Sequence, residues 1–242
     1  SAGRLGVRSI EHLTGVPEAV GPAEKFYAAH RRSYFSGWNL FEQSWAGLDS
    51  SALARVGAEL AATRVTLVPT LVLHDVWSRL DDPAVTTDAD LAYVPQGVKE
   101  EWDLPNFIAG AGWDGPLFTS FRAGRAHQDL FLREFHGAGG NIVAGTDAGN
   151  PMIIPGASLH RELALLVQAG LSPDDALQAA TSRAAALFGA DSIGTLAPGK
   201  LADLVVLSAD PRSDIANTRQ IVRVMLVGIL MSRDSLDQAA HR

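Results

Sequence analysis

Three apolar runs in the first two thirds of the chain have the length and composition of β-strands. They cover residues 5–12, 65–73 and 141–147, and the second is rich in β-branched side chains. Apolar residues recur at helical spacing in residues 17–35 and 50–62, which lie between the first two runs. This order predicts parallel strands separated by helices, the α/β class.

Between about residues 75 and 123 the periodicity fails, and four prolines interrupt the segment. Long irregular stretches inside a compact domain are typical of functional segments. The segment also carries Trp77, Trp102 and Trp113. We therefore predict a lid insertion at about 75–123 that carries aromatic side chains toward a substrate; the alternative is that these residues only pack.

The sequence after residue 123 predicts three or four helices, followed by a segment of short strands. The first helix covers about residues 125–135, Ser158 caps a helix over 159–169, and Ser172 followed by Pro173 begins the third. In the last fifty residues, 203–207 and 221–227 have the pattern of short strands joined by turns. These short strands set the last fifty residues apart from the helical region before them.

Composition and charge exclude several classes of protein. The 242 residues include 20 basic and 27 acidic side chains, a net charge of -7, and no basic stripe is visible, so we expect no nucleic-acid partner. With no cysteine, the chain forms no disulfide, thiolate metal site or cysteine nucleophile. No apolar run has membrane length, so we expect no membrane partner. Composition does not identify the compartment.

The candidate chemistry lies where apolar runs stop. Asp147 ends the third run, and a carboxylate at the C-terminal tip of a parallel strand can bind a metal or exchange protons with a bound water. His12 ends the first run in the same way. Taken alone, Asp147 could simply begin a turn and His12 could be an ordinary hydrogen-bonding residue.

Three motifs favour the metal-site interpretation of His12 and Asp147. The segments Ser9-Ile10-Glu11-His12 and Gly145-Thr146-Asp147, together with the run from Gly194 to Val206, resemble the C-terminal half of the metal-dependent amidohydrolase superfamily. The similarity is to its imidazolonepropionase-like and prolidase-like branch. It implies strands 6 to 8 of a (β/α)8 TIM-type barrel over residues 1–192 and part of a small β-sandwich over residues 193–242.

The resemblance also implies a hydrolase site. It makes His12 the metal ligand of strand 6, and Asp147 both the metal ligand of strand 8 and the general base. One or two divalent ions would be bound, and imidazole favours Zn²⁺. His160 and His74 are candidates for substrate binding, whereas Glu162 is assigned a structural role. The family's His-x-His pair and its other ligands have no counterpart here.

Two hypotheses about function remain open. In the first, the chain is the C-terminal portion of a metal-dependent amidohydrolase that cleaves an amide-type C–N bond in a peptide-like or cyclic amide substrate with metal-activated water. In the second, it is a non-catalytic fragment or an assembly subunit that needs a partner chain. Either way, we expect the chain to bind the missing N-terminal half of the barrel or to self-associate.

Overall fold

A computed structural model describes residues 2–240, in which the strands form two separate three-stranded sheets. The first sheet is parallel, in the order β1-β2-β3, and the second is antiparallel, in the order β4-β5-β6. The strand bounds are β1 Ser9–Glu11, β2 Thr66–Val68, β3 Asn141–Ile142, β4 Leu204–Leu207, β5 Ile221–Leu226 and β6 Ile229–Ser232.

Helices connect the strands of the parallel sheet and cover most of the chain. Their bounds are α1 Val16–Val20, α2 Ala23–Arg32, α3 Tyr34–Ser44, α4 Ser50–Ala61, α5 Leu71–Trp77, α6 Pro83–Thr86, α7 Gln96–Trp102, α8 Leu104–Ala111, α9 Gly115–Gly137, α10 Ala157–Gln168, α11 Pro173–Ala179, α12 Ser182–Phe188 and α13 Arg233–Ala240. Short 3-10 helices include Ala89–Tyr93 and Ile215–Arg219. Within residues 2–240, every helix falls short of the length and hydrophobicity that a membrane span requires.

The core lies between the parallel sheet and helices α3, α4 and α9. Leu67 and Ile142 pair with each other across β2 and β3, and both are fully buried. Trp45 and Phe131 are also fully buried, and their rings approach each other at 6.2 Å. This burial of large apolar side chains supplies the main driving force for folding.

The predicted strands are present, but all three are shorter than expected. β2 ends at Val68 rather than at Leu73, because Pro69 has no N–H to donate to a neighbouring strand. Residues 71–73 instead begin α5. β3 covers only two residues, although the backbone N–H of Val143 still donates to the carbonyl of Leu67 at 2.9 Å.

The prediction of an irregular segment over residues 75–123 is wrong, because helices α6, α7 and α8 and the first turns of α9 lie within it. Asp82 and Asp114 each cap a helix through the side chain, and proline follows each in the first turn. The three tryptophans of the segment are buried, and the ring centroids of Trp77 and Trp113 lie 5.6 Å apart. These side chains pack in the core, as the alternative interpretation expects. A lid role for the segment stays a prediction.

The helix starts after the third strand are partly as predicted. Ser172 caps α11 by accepting a hydrogen bond from the backbone N–H of Asp175 at 3.0 Å, as the sequence indicates. The prediction that Ser158 caps α10 is wrong, because that helix begins earlier, after Gly156, whose φ of 78° is readily adopted only by glycine. The serine is therefore buried within the first turn.

The antiparallel sheet leaves many apolar side chains exposed. The sequence predicts β4 and β5, but β6 follows a tight turn at Val227 and Gly228 and was not predicted. Large apolar side chains on these strands are 41–69% exposed, namely Val205, Val206, Val222, Leu226, Ile229 and Leu230. Exposed apolar area of this extent is typical of a surface that another segment or chain covers. The division of the chain at residues 192 and 193 stays a prediction.

One buried carboxylate joins two helices. Glu162 of α10 is fully buried, and its Oε2 accepts a hydrogen bond from the backbone N–H of Val72 at 2.7 Å, at the start of α5. Burial raises the pKa of Glu162 to about 7, against the smaller opposing effects of the N–H groups of Val72 and Leu71 and of Arg125. Glu162 has a structural role here, as the sequence predicts.

The first prediction concerns how closely α9 approaches the residues after α3. A Cβ added at Gly124 would lie 2.6 Å from the Cβ of buried Trp45, so Gly124→Ala should lower the free energy of unfolding by about 1–3 kcal/mol. Gly110 of α8 meets open space, so Gly110→Ala should leave stability unchanged or raise it by up to about 1 kcal/mol. Urea denaturation measures both, and equal stabilities for the two variants would contradict the packing described.

A second prediction follows from the carboxyl group of Glu162. Its pKa in the folded chain is above its ordinary value of 4.5, so folding takes up a proton and the free energy of unfolding falls as pH rises from about 4.5 to 7. The fall due to this group should be on the order of 3 kcal/mol. Glu162→Gln should remove that part of the pH dependence, whereas Glu101→Gln, at an exposed position, should not. Identical pH profiles of the wild type and Glu162→Gln would refute the assignment.

Candidate functional site

The candidate site lies at the carboxyl edge of the parallel sheet. His12 follows β1, Thr70 follows β2 after one intervening residue, and Asp147 lies beyond β3. All three have positive φ angles, of 59°, 48° and 56°. Such angles are uncommon for residues other than glycine and cluster at functional sites, where the surrounding structure holds them. The parallel register therefore brings three unusual backbone positions to one edge.

The two predicted metal ligands meet at this edge. The Nε2 atom of His12 lies 3.7 Å from Oδ2 of Asp147, and both side chains are partly exposed. Burial lowers the pKa of His12, as does nearby His74, against the opposing effects of Asp147 and Glu11. The imidazole is thus favoured in its neutral form, which is the form that binds metals.

Neighbouring side chains fix the orientation of both groups. The Nδ1 atom of His12 lies 2.7 Å from the hydroxyl of Thr70. Asn150 donates to Oδ2 of Asp147 at 2.8 Å and to its backbone carbonyl at 3.0 Å. The carboxylate oxygen that faces the imidazole is therefore held in place by the turn that follows it.

The residues present fit a divalent ion only in part. An imidazole nitrogen and a carboxylate oxygen are ligands that Zn²⁺ accepts, and these two are close enough to share one ion. Across residues 2–240, however, no group of three or more His, Cys, Asp or Glu side chains could hold a metal ion. A zinc site usually has three or four protein ligands, so His12 and Asp147 fit as part of a larger ligand set.

His74 lies near the site but is buried. It belongs to α5 rather than to a strand tip, its Nδ1 hydrogen-bonds Oε1 of Glu42, and its ring stacks on Trp38 at 5.4 Å. Gln128 donates to the other oxygen of Glu42 at 3.3 Å. Only 1% of the His74 side chain is exposed, so direct contact with a substrate would require movement. Its predicted role in substrate binding has no support in this geometry and stays a prediction.

His160 lies beside a different set of residues. Its Nδ1 is 3.0 Å from the hydroxyl of Thr218, and it lines a cavity of about 350 Å³ together with the ion pair of Asp90 and Arg219. Burial lowers the pKa of His160, as does Arg219, while Asp90 opposes the shift. The structure therefore brings His12 and Asp147 together but groups His160 with the 3-10 helix before β5. Its substrate role stays a prediction.

Tyr34 lies near His12 and Asp147, although no sequence motif points to it. Burial raises the pKa of Tyr34, and the charges of Asp147 and Glu42 add to this effect, so its hydroxyl lies within electrostatic reach of the site. Its ring stacks on Trp38 at 6.2 Å, and the side chain is half-exposed. Tyr34 starts a helix within the segment after β1, where no motif distinguishes it from other aromatic residues.

Comparisons with known proteins agree with the motifs. Residues 124–230 match the model of the amidohydrolase family. An imidazolonepropionase from Deinococcus deserti is 42% identical over 82 residues, which is 34% of this chain and 20% of that protein. The chain thus covers a small part of this curated relative.

Solved structures extend the similarity to the fold. A bottromycin amidohydrolase matches 98% of this chain and 48% of its own, with a TM-score of 0.65 and 24% identity. A Xaa-Pro dipeptidase with bound methionine in the active site matches 96% of this chain and 41% of its own, with a TM-score of 0.54 and 21% identity. The chain shares their fold over less than half of their length. The match to the amidohydrolase family model covers residues 124–230, and the similar proteins include this imidazolonepropionase and this Xaa-Pro dipeptidase.

Proposed function

We propose that this chain forms the C-terminal portion of a metal-dependent hydrolase that cleaves an amide-type C–N bond in a peptide-like or cyclic amide substrate. The observation that carries the proposal is the 3.7 Å approach of His12 to Asp147 at the carboxyl edge of a parallel sheet. Active sites of (β/α)8 enzymes occupy this edge. In this proposal β1, β2 and β3 correspond to strands 6, 7 and 8 of such a barrel.

His12 and Asp147 would have different roles in the reaction. His12 and Asp147 would help to hold one or two divalent ions, most simply Zn²⁺, and a bound ion would activate water and polarise the substrate carbonyl. The neutral imidazole of His12 supplies Nε2. The carboxylate of Asp147 accepts the proton of the attacking water as the C–O bond forms, and returns it to the leaving nitrogen as the C–N bond breaks.

Other residues at this edge would serve the same reaction. The side-chain amide of Asn150 donates to Oδ2 of Asp147 and holds this oxygen beside His12. The general base would therefore be oriented before the substrate binds. Half-exposed Tyr34, whose hydroxyl is within electrostatic reach of Asp147, is available to contact a substrate. His160 and the cavity that it lines would accept a more distant part of the substrate.

The proposed activity needs further ligands, and a partner segment would supply them. In residues 2–240 the outer edges of β1 and β3 have no neighbouring strand, and open edges of this kind favour pairing with another chain. Exposed apolar side chains on the antiparallel sheet favour the same outcome. The N-terminal half of the barrel is the partner that we propose, and self-association through these surfaces is the alternative.

A non-catalytic role is the second candidate. It is favoured by the lack of a complete metal-ligand group in residues 2–240. Both candidates share the same need for a partner, and they differ in whether the assembled site turns over substrate.

A third prediction tests the general base. In the complete enzyme, Asp147→Asn should lower turnover of an amide substrate by about 10²-fold or more, because the amide cannot accept the proton, while the fold is largely retained. Asp191→Asn, at an exposed position in a turn, is the matched control and should keep normal turnover. Near-normal turnover in Asp147→Asn would remove this residue from the mechanism.

A fourth prediction tests assembly. Light scattering, intact mass and a denaturing gel should find the chain either bound to the missing half or self-associated. If self-association uses the antiparallel sheet, Ile229→Lys should weaken it, because Ile229 is 69% exposed on β6, whereas Tyr27→Lys on α2 should not. A stable monomer with tight stoichiometric Zn²⁺ and amidase activity would overturn both the partner proposal and the site assignment.

A further inference from the structure

We propose that Thr70 and Glu162 are positioning residues that fix the tautomer of His12, an inference that rests on the proposed metal-dependent hydrolase function. In this proposal neither residue contacts the substrate or the ion. Thr70 contacts the ring of His12, and Glu162 binds the backbone of the turn that contains Thr70. Together they would determine which ring nitrogen is available to an ion.

The direction of the hydrogen bond between Thr70 and His12 follows from the single hydrogen of the Thr70 hydroxyl. The hydroxyl of Thr70 has two close contacts, to the carbonyl oxygen of Pro69 and to Nδ1 of His12, both at 2.7 Å. A carbonyl oxygen can only accept, so the single hydroxyl hydrogen goes to Pro69. The contact with His12 then needs its hydrogen from the ring. Nδ1 is therefore the protonated nitrogen, and Nε2 carries the lone pair.

This tautomer determines what fits between His12 and Asp147. The lone pair of Nε2 faces a carboxylate oxygen 3.7 Å away, so two acceptors are directed at one space. Two acceptors cannot hydrogen-bond each other, and the arrangement favours a cation between them. The opposite tautomer would present an N–H to the carboxylate and occupy the same space with a hydrogen bond. Metal-binding histidines are commonly fixed in this way by a partner of the other ring nitrogen.

The backbone at Thr70 needs support, because its φ and ψ of 48° and 48° are unfavourable for a β-branched residue. Glu162 supplies it from α10 by accepting a hydrogen bond at Oε2 from the backbone N–H of Val72, two residues after Thr70. The carboxylate is fully buried, and the backbone that it holds starts α5.

Close packing from β3 completes the support. A Cβ at Gly145 would lie 2.5 Å from Val68 and 3.4 Å from the methyl group of Thr70, so only glycine lets this segment approach the turn. Thr70 is itself 3% exposed. The hydroxyl is thus confined between the end of β2, the segment after β3 and the ring of His12, and has little freedom to rotate away.

The test is nuclear magnetic resonance of the full chain with ¹⁵N-labelled histidine rings, where His12→Gln assigns the His12 signals. The wild type should show a protonated Nδ1 and an unprotonated Nε2 at neutral pH. Thr70→Val keeps the β-branch but removes the acceptor, so His12 should become a mixture of tautomers. Thr70→Ser restores the hydroxyl and should restore the wild-type pattern. Thr119→Val, on the exposed face of α9, is the control.

A second pair of variants tests the backbone support. Glu162→Gln keeps an acceptor for Val72 and should preserve the tautomer, whereas Glu162→Met should disturb it. If Glu162→Met does not fold, as circular dichroism would reveal, the Thr70 variants decide the matter. A folded Thr70→Val chain with the wild-type ring pattern would overturn the inference, as would a wild-type ring protonated at Nε2.

Titration with Zn²⁺ separates this inference from the proposed function. Thr70→Val should weaken the effect of Zn²⁺ on the His12 signals by about 10–100-fold, the range typical when a metal-binding histidine loses its partner. In the chain assembled with the proposed N-terminal half, a wild-type ring of the expected tautomer that does not respond to Zn²⁺ would count against the proposed function, yet leave the role of Thr70 in place. Equal Zn²⁺ responses of the wild type and a tautomerically mixed Thr70→Val would refute the link between them.

Discussion

The parallel pairing of β1, β2 and β3 is the constraint on which the site depends. Pairing of Ile10 with Leu67, and of Leu67 with Ile142, aligns three strands that are far apart in sequence. Because the strands are parallel, the residues that follow them meet at one edge. His12 and Asp147 are separated by more than half of the chain and become neighbours through this register alone.

Much of this arrangement can be predicted from local signals. The apolar periodicity of residues 50–62 closely matches α4, and the tips of two apolar runs identify His12 and Asp147. The helices over residues 75–123 were missed because they are short and their apolar residues meet partners from distant segments, as Trp113 does with Asn39. Tertiary packing, which no local pattern records, determines their structure. The same reason explains why Tyr34 was missed.

Two buried carboxylates hold the surroundings of the site, while the site itself stays open. Glu42 anchors the ring of His74, and Glu162 anchors the start of α5. A buried acid is costly unless its oxygens are hydrogen-bonded. Both oxygens of Glu42 have partners, in His74 and Gln128, whereas Glu162 accepts from Val72 through Oε2 and its buried Oε1 has no partner among the described residues. In contrast, Asp147 is partly exposed and is held through a single neighbouring side chain, which leaves the carboxylate accessible to a proton or an ion.

The left-handed backbone at His12, Thr70 and Asp147 implies a conflict between function and stability. Each such residue opposes folding by on the order of 1–3 kcal/mol, so together they approach the whole net stability of a small domain. The surrounding core must offset this strain. A mutation that loosens the core, even far from the sheet edge, would therefore relax these three positions first. The chain could lose the geometry of its site while the rest of its fold survives.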